Sequence, residues 1–309
     1  MYQGYGVHHM AIGVRKLEPI RAFYRDVLDF TVIFSDFPTG EYPALAGIVR
    51  GPRVVFDAVL FAQPAGGIVL ELMQMIDPTP RPVRKDTKYG DIGLAKISIT
   101  VPDVELFYRE MKEKVSFCFE PRSVDIPSFG PYGFVYARDP EGNLMEFVST
   151  PKMPVQGRFG GIAFLGVAVT DLNRSVDFYR KYGGFDKTVI EPHDAFSGLF
   201  NEITHGPDTQ IRSCLLANSQ AEGMLEIFEV SRPHGRSLPY MMRWGDYGYH
   251  QICLNGKVGD DVFKIGAYME AEGFEFICPP VLMHDEREGA FFYMKDPDGI
   301  PVEFLVFLK

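Results

Sequence analysis

Three short motifs occur twice in this chain at almost the same spacing, and such a repeat constrains the fold more than composition does. Two of them return after 155 residues and the third after 157. They are Phe23-Tyr24-Arg25 with Phe178-Tyr179-Arg180, Gly90-Asp91 with Gly245-Asp246, and Asp139-Pro140-Glu141-Gly142 with Asp296-Pro297-Asp298-Gly299. The chain is therefore predicted to contain two similar halves, residues 1–150 and 162–309, joined by a Pro- and Gly-bearing linker at 151–161.

Each half divides again into two units of one strand, one helix and three strands. Residues 7–14 alternate between apolar residues on one face and His9, Ala11 and Gly13 on the other, as a half-buried strand does. An amphipathic stretch at 17–28 and short apolar runs at 54–61 and 67–73 follow. The same order starts again near residues 94, 162 and 249. The sequence thus predicts an α+β fold of four βαβββ units.

Charge and composition exclude several classes of protein. The chain has 31 Lys and Arg against 41 Asp and Glu, a formal net charge of −10, which disfavours binding to nucleic acids or to anionic membranes. No apolar run approaches the ~18 residues of a membrane helix, and no secretory signal is visible. The four cysteines form no C-x-x-C pair. A cytoplasmic protein that acts on a small molecule is expected, and a homo-oligomer is left open.

The strand at 9–14, the Phe-Tyr-Arg helix and the Asp-Pro-x-Gly-x-x-x-Glu turn resemble the vicinal oxygen chelate superfamily, which includes glyoxalase I, bleomycin resistance proteins and extradiol dioxygenases. The resemblance covers nearly the whole chain. It implies that the four units form two open half-barrels that can each hold a divalent metal. It further implies that the metal ligands come from the first and last strands of the units.

The resemblance assigns eight candidate ligand positions to this chain. The first-strand positions are His9, Lys96, Phe164 and Gln251, and the last-strand positions are Glu71, Glu146, Glu226 and Glu303. Lysine and phenylalanine are not expected ligands of a divalent metal. If the first unit pairs with the fourth, their barrel contains a possible ligand at all four positions. The barrel of the second and third units then lacks a possible ligand at two of its four positions, those of Lys96 and Phe164. We therefore hypothesise a single metal site of His9, Glu71, Gln251 and Glu303.

His250 directly precedes Gln251, and the sequence leaves open which of them faces the barrel. Ile252 and Leu254 match the helix-packing residues Met10 and Ile12, which favours Gln251 inside and also predicts that His8 points outward. A β-bulge would reverse the choice. With His250 inside, the set of His9, His250 and Glu303 would be the 2-His-1-carboxylate triad that suits Fe(II).

The last unit also resembles the extradiol dioxygenase signature, from His284 through Tyr293 to Glu303. Such enzymes place a tyrosine and a histidine beside the iron, so Tyr293 and His284 are candidate proton-handling residues. The first half has Pro127 where His284 would align. His234 lies between two arginines in a loop before the fourth unit. It is a third candidate, as a proton shuttle or as a ligand for an acidic substrate group, against the alternative of a solvated loop residue.

Three functions follow from these patterns. The favoured hypothesis is an extradiol-type dioxygenase that uses Fe(II) and O₂ to cleave a catechol- or hydroquinone-like aromatic substrate, with Mn(II), Zn(II) or Ni(II) as alternative metals. The second is a metal-dependent isomerase or lyase of the glyoxalase or epimerase type, which gains support if Gln251 is a ligand. The third is a metal-free protein that binds a small molecule, like the resistance proteins of the superfamily.

Overall fold

The computed structural model describes residues 4–84, 86–283 and 289–307, and within them the four predicted βαβββ units are present. The first unit contains β1 (Val7–Gly13), α1 (Leu17–Leu28), β2 (Val32–Glu41), β3 (Val55–Gln63) and β4 (Gly66–Asp77), with a 3₁₀ helix at Pro43–Ile48. The second contains β5 (Gly93–Thr100), α2 (Val104–Met111), a short β6 (Ser116–Phe117), β7 (Arg122–Ile126), β8 (Gly130–Arg138) and β9 (Leu144–Ser149).

The second half repeats this order. The third unit contains β10 (Ile162–Ala168), α3 (Leu172–Gly183), β11 (Lys187–His193), β12 (Gln210–Ala217) and β13 (Met224–Arg232). The fourth contains β14 (Gly248–Asn255), α4 (Val262–Ala271), β15 (Phe276–Met283), β16 (Gly289–Lys295) and β17 (Pro301–Phe307). Residues 151–161 form no helix or strand. The predicted α+β class and its repeated units are confirmed.

Local sequence explains where the helices lie. In α1 the buried residues Leu17, Ile20, Tyr24 and Leu28 recur every three or four positions, which gives the helix one apolar face for the sheet. The other three helices begin after an aspartate whose side chain accepts a hydrogen bond from a backbone N–H of the first turn; these residues are Asp103, Asp171 and Asp261. None of the helices in the described residues is both long and apolar enough to cross a bilayer.

The repeated motifs act together as structural ties. The Tyr24 hydroxyl of α1 donates to the Asp139 carboxylate at 3.1 Å, and the Tyr179 hydroxyl of α3 donates to Asp296 at the same distance. Each aspartate also accepts backbone N–H groups of its own turn, which fixes the turn between the last two strands of its unit. The motifs that reveal the repeat therefore hold the helix of one unit to the closing hairpin of the next.

The strands form two curved sheets, and each sheet draws on both halves of the chain. The first barrel contains units one and four, in the order β2-β3-β4-β1-β14-β17-β16-β15. The second barrel contains units two and three, in the order β11-β12-β13-β10-β5-β9-β8-β7, with β6 beside β8. The antiparallel pairs β1–β14 and β10–β5 lie at the centres of the two sheets. The first and last units of the chain thus share one barrel.

Candidate functional site

Four polar side chains converge on the inner face of the first barrel. His9 Nε2 lies 3.3 Å from Glu71 Oε2 and 3.4 Å from Glu303 Oε2. The Gln251 amide nitrogen donates to Glu303 Oε2 at 3.0 Å and lies 3.4 Å from His9 Nε2. All four residues are buried, with at most 6% of any of them exposed. Side chains from positions 9 and 303 therefore meet in one cluster.

The strand register explains this convergence. Ala11 of β1 is paired with Gln251 of β14 on one side and with Glu71 of β4 on the other. Glu303 of β17 is paired with Cys253, two residues after Gln251. Because side chains alternate along a strand, residues two apart share a face, and His9 lies on the same face as Ala11. Four neighbouring strands thus each direct one polar side chain to the same point.

The alternative ligand His250 makes no described hydrogen bond or ion pair to the four side chains, although burial lowers its pKa and the charge of Glu71 acts against that effect. The register shifts between Ala11 and Ile12, so His250 is the extra residue of a β-bulge in β14. Its ring is buried and engages the backbone: the Gly245 N–H donates to Nε2 at 3.2 Å, and Nδ1 lies 3.3 Å from the Gly248 carbonyl oxygen. The structure therefore places Gln251, and not His250, beside His9.

His8 lies beside His9 and lines the cavity, so the expectation that it points outward is wrong. A second register shift between Val7 and His9 makes His8 a bulge residue of β1. The Nδ1 atoms of His8 and His9 lie 2.7 Å apart, on the side of the His9 ring away from the carboxylates. His8, His9 and Cys253 each offer a ligand atom within 4.8 Å of the others. The only sequence signal for Cys253 was its place two residues after Gln251.

The charges of the cluster act strongly on His9. Burial lowers the pKa of this imidazole, but Cys253, Glu303 and Glu71 raise it, and the net result lies well above the ordinary value of 6.5. Two carboxylates thus surround a single neutral or singly charged ring. A buried pair of like charges is costly without a cation between them. The cluster therefore has the electrostatics of a cation site.

The structure describes two of the three candidate proton-handling residues, Tyr293 and His234. Tyr293 of β16 is paired with Glu303 across the hairpin and is buried beside the cluster. Burial raises the pKa of its phenol well above 10, and the charges of Glu303 and Glu71 raise it further. His234 lies on an exposed loop and does not line the cavity around the cluster. His284 lies outside the described residues.

A cavity of about 410 Å³ opens directly above the four side chains. Its walls are mostly apolar and aromatic: Phe37, Tyr42, Pro43, Ala44, Leu45, Ile48, Phe56, Leu60, Trp244, Leu282, Met283, Phe291, Leu305 and Phe307. The 3₁₀ helix Pro43–Ile48 covers one side, and Trp244 packs edge-on against Phe56 at 4.9 Å between ring centroids. A small apolar chamber with a few convergent polar groups is the usual form of a ligand site.

The second barrel fills the corresponding positions differently. Lys96 occupies the place of Gln251, and its Nζ lies 2.6 Å from Glu226 Oε2 and in direct contact with Glu146. Phe164 occupies the place of His9, and its ring lies under the ammonium at 5.1 Å. Ser98 and Tyr132 donate to Glu146, and Ser213 donates to Glu226. A side-chain cation therefore already sits between the two glutamates of this barrel.

The residues of the first barrel fit a divalent metal. They offer one imidazole nitrogen and three side-chain groups with oxygen atoms, a donor set that several divalent metals accept. The Gln251 Oε1 atom is buried and has no hydrogen-bond partner. Rotation of this amide by 180° would exchange its oxygen and nitrogen and direct Oε1 toward the cluster. The four side chains that would hold a metal are thus His9, Glu71, Gln251 and Glu303.

Comparisons with known proteins agree with this architecture. The sequence matches the family model described as "Glyoxalase/Bleomycin resistance protein/Dioxygenase superfamily" over residues 6–147 and 161–304. Glyoxalase I from Zea mays is 14% identical, with 97% of this chain and 92% of that chain covered and a TM-score of 0.60. A putative dioxygenase from Bacillus subtilis is 14% identical, with 100% and 87% covered and a TM-score of 0.59. At such identities the likeness shows the fold alone. No curated protein matches the chain.

Proposed function

We propose a function from one established premise: the chain belongs to the glyoxalase, bleomycin resistance protein and dioxygenase superfamily. We propose that it is a divalent-metal-dependent isomerase, epimerase or lyase, which moves a proton at a carbon that bears one of two adjacent oxygen functions. The observation that carries this proposal is the cluster of the first barrel, in which Gln251 accompanies His9, Glu71 and Glu303.

The donor set favours proton transfer over oxygen activation. Iron sites that activate O₂ through a facial triad use two histidines and one carboxylate and leave positions open for substrate and O₂. Here the second histidine, His250, is engaged by the backbone, and two glutamates are present. A bound metal would supply Lewis acidity that polarises a substrate carbonyl. The metal of this proposal is a divalent ion without a required redox role.

The two glutamates differ in how firmly they are held. Glu303 accepts a hydrogen bond from Gln251 and is flanked by Cys253 and Tyr293. The described polar contact of Glu71 is with His9 alone, and its side chain lines the cavity. A general base must be able to approach the substrate carbon. Glu71 is therefore the proposed proton carrier, and Glu303 is the proposed fixed partner.

The proton transfer balances within the substrate and Glu71. The C–H bond at the carbon that bears the hydroxyl breaks, the proton passes to a Glu71 oxygen, and the electron pair moves toward the adjacent carbonyl oxygen. Return of the proton to the neighbouring carbon, together with passage of the hydroxyl proton to the former carbonyl oxygen, completes an isomerisation. Return of the proton to the opposite face of the same carbon, with the carbonyl re-formed, completes an epimerisation. The Tyr293 phenol, whose pKa is well above 10, remains protonated at neutral pH and is available as a hydrogen-bond donor.

Metal analysis combined with proton exchange tests the proposal. Protein purified without added metal is analysed for its elements, and the metal-loaded chain is incubated with α-hydroxyketones in D₂O while exchange of the α-proton is followed by NMR. We expect about one divalent metal per chain and exchange that is lost by more than about 100-fold in Glu71→Gln at saturating metal. The exposed Glu105→Gln is the matched control. A metal-loaded chain that exchanges no α-proton across the panel would contradict the proposal.

The ring-cleaving dioxygenase stays a prediction, and one observation favours it as the second candidate. Tyr293 lies beside the cluster in a cavity with aromatic walls, as the last unit's resemblance implies. Oxygen uptake by the Fe(II)-loaded chain with catechols and hydroquinones measures this activity. Uptake that depends on Fe(II) and on Tyr293, without α-proton exchange, would replace the isomerase proposal.

A further inference from the structure

The charge of the cavity above the four side chains identifies the kind of substrate it can hold. Among the described residues that line this cavity, none is a lysine or an arginine. Its lining carboxylates are Glu71 and Glu303 on the floor and the exposed Glu41 at the rim. Its lining imidazoles are His8 and His9, and His9 is a proposed metal ligand. A bound divalent cation would balance the two floor carboxylates and leave no surplus positive charge.

The guanidinium paired with the rim residue Glu41 also contacts a second carboxylate. Arg53 Nε lies 3.4 Å from Glu41 Oε2, and another nitrogen of the same guanidinium lies 3.6 Å from Asp77 Oδ2. Arg53 does not line the cavity. A carboxylate on a bound molecule would therefore lose water without gaining a partner among the described lining residues, which costs binding free energy.

The walls supply apolar contact instead. The rings of Phe56, Trp244 and Phe291 surround the space above the cluster, and Leu45 and Ile48 of the 3₁₀ helix face it. The volume of about 410 Å³ accommodates an aromatic ring with a short side chain. Aromatic walls favour a flat ring through offset and edge-on contacts.

We infer that the substrate is an uncharged, aryl-bearing molecule with two adjacent oxygen functions, such as an aryl α-hydroxyketone, and not a carboxylated conjugate of a thiol or an acid. This inference rests on the proposed function for the role of the two oxygens, which meet the cluster on the floor. The preference for an uncharged aryl group rests on the cavity walls alone. The two parts can therefore fail separately.

Trp244 provides a direct readout of binding. It is the single tryptophan of the chain, it is 8% exposed, and it lines the cavity. The Zn(II)-loaded chain is titrated with 2-hydroxyacetophenone, with its ring 4-carboxylate and with the ring 4-carboxamide, while Trp244 fluorescence is recorded. The carboxamide is nearly the size of the carboxylate and carries no charge. Trp244→Phe verifies that the signal comes from this residue.

We expect saturable quenching by the two uncharged ketones and binding of the carboxylate that is at least about 10-fold weaker than that of the carboxamide. Glu41→Gln removes one of the two carboxylates that hold Arg53 at the rim and is expected to narrow this difference in affinity, whereas the exposed Glu222→Gln in the second half leaves it unchanged. A carboxylate that binds as tightly as the carboxamide, or the absence of saturable binding by the uncharged ketones, overturns the inference. Preferential binding of the uncharged ketones without α-proton exchange would leave the inference intact and reject the proposed function.

Discussion

In the first barrel the four interior positions are occupied by His9, Glu71, Gln251 and Glu303, and in the second barrel they are occupied by Phe164, Glu226, Lys96 and Glu146. The glutamates are common to both. Where the first barrel has an uncharged amide, the second has an ammonium group. The second barrel thus satisfies its buried carboxylates with a covalently attached cation. A buried pair of glutamates needs a positive counter-charge, which Lys96 provides in the second barrel and which the proposed metal would provide in the first.

The contents of the two barrels differ accordingly. The space above the first cluster measures about 410 Å³, whereas the cavity beside Phe164 and Glu226 measures about 10 Å³. Phe134, Tyr136 and Phe200 pack into the second interior. A buried charge is costly without a partner, and the side chains of the second interior pack closely around its ion pair. The second barrel therefore has the composition of a structural core, and the first barrel has that of a ligand-binding site.

The largest expected effect comes from copying the second barrel into the first. Gln251→Lys introduces an ammonium between Glu71 and Glu303, where it would compete with a metal for the same carboxylates. We expect the metal content to fall from about one ion per chain to nearly none, which corresponds to affinity weakened by more than about 100-fold. Elemental analysis measures this, with the exposed Gln220→Lys as the matched control. Retention of a full equivalent of metal would show that the two clusters are not equivalent.

Removal of the internal cation is expected to destabilise the protein. Lys96→Met leaves Glu146 and Glu226 buried without their counter-ion, and we expect the free energy of unfolding to fall by about 3–5 kcal/mol. Denaturant unfolding measures the loss. A triple variant that also carries Glu146→Gln and Glu226→Gln should recover most of it. A loss below about 1 kcal/mol would mean that Lys96 is not the required partner of these carboxylates.

Placing the residue types of the first barrel in the second barrel should create a second metal site. Lys96→Gln together with Phe164→His gives the second barrel the same four residue types as the first. We expect metal titration to approach two ions per chain, the second bound more weakly because the surrounding interior is tightly packed. Lys96→Gln alone, which lacks the imidazole, is the control. A folded double variant that still binds a single ion would mean that further residues of the first barrel are required.

The barrels should also respond differently to pH. A metal ligand must lose its proton, and the pKa of His9 in the metal-free chain lies well above 6.5, so protons compete with metal already near neutrality. Metal affinity should therefore fall as pH decreases from 8 to 6, by at most about tenfold per unit. In the second barrel, burial lowers the pKa of Lys96 but Glu146 and Glu226 raise it above 10.5, so its charge does not change in this range. Calorimetric titrations at several pH values measure the slope, and a flat profile would contradict the role of His9.

The smallest effect concerns His8, which has no counterpart of its type in the second barrel, where Ala163 takes its place. When His9 Nε2 binds a metal, its proton lies on Nδ1 and can be donated to His8 Nδ1, 2.7 Å away. Loss of such a partner weakens metal binding, and we expect about a 10-fold effect for His8→Phe. His8→Asn, which keeps an acceptor, should bind metal more tightly than His8→Phe. Equal affinities of both variants and the parent chain would assign no positioning role to His8.

The sequence predicted the fold well because the repeated features are local. Strand alternation, the amphipathic helix at 17–28 and the Asp-Pro turns each depend on neighbouring residues, and their recurrence identifies the units. The pairing of the first unit with the fourth was inferred from two candidate ligand positions, Lys96 and Phe164, whose residue types do not bind a divalent metal. The structure adds the physical reason, since β1 and β14 form the centre of one sheet.

The finer details of the site depended on irregularities that no periodic pattern encodes. Bulges at His8 and His250 change the local register, so alternation alone misplaced His8 and left His250 and Gln251 unresolved. Trp244 reaches the cavity from a loop before β14, and the 3₁₀ helix Pro43–Ile48 reaches it from the first unit. Such approaches come from tertiary packing of distant segments. No sequence pattern predicted which aromatic side chains would together line the cavity.

Anomalous diffraction from crystals soaked in Mn(II) shows directly whether the first and last units of the chain bind one metal ion together. We expect one strong peak per chain, within bonding distance of His9, Glu71, Gln251 and Glu303, and no peak between Glu146 and Glu226. A peak in the second barrel, or a metal bound by only one of the terminal units without the other, would contradict it.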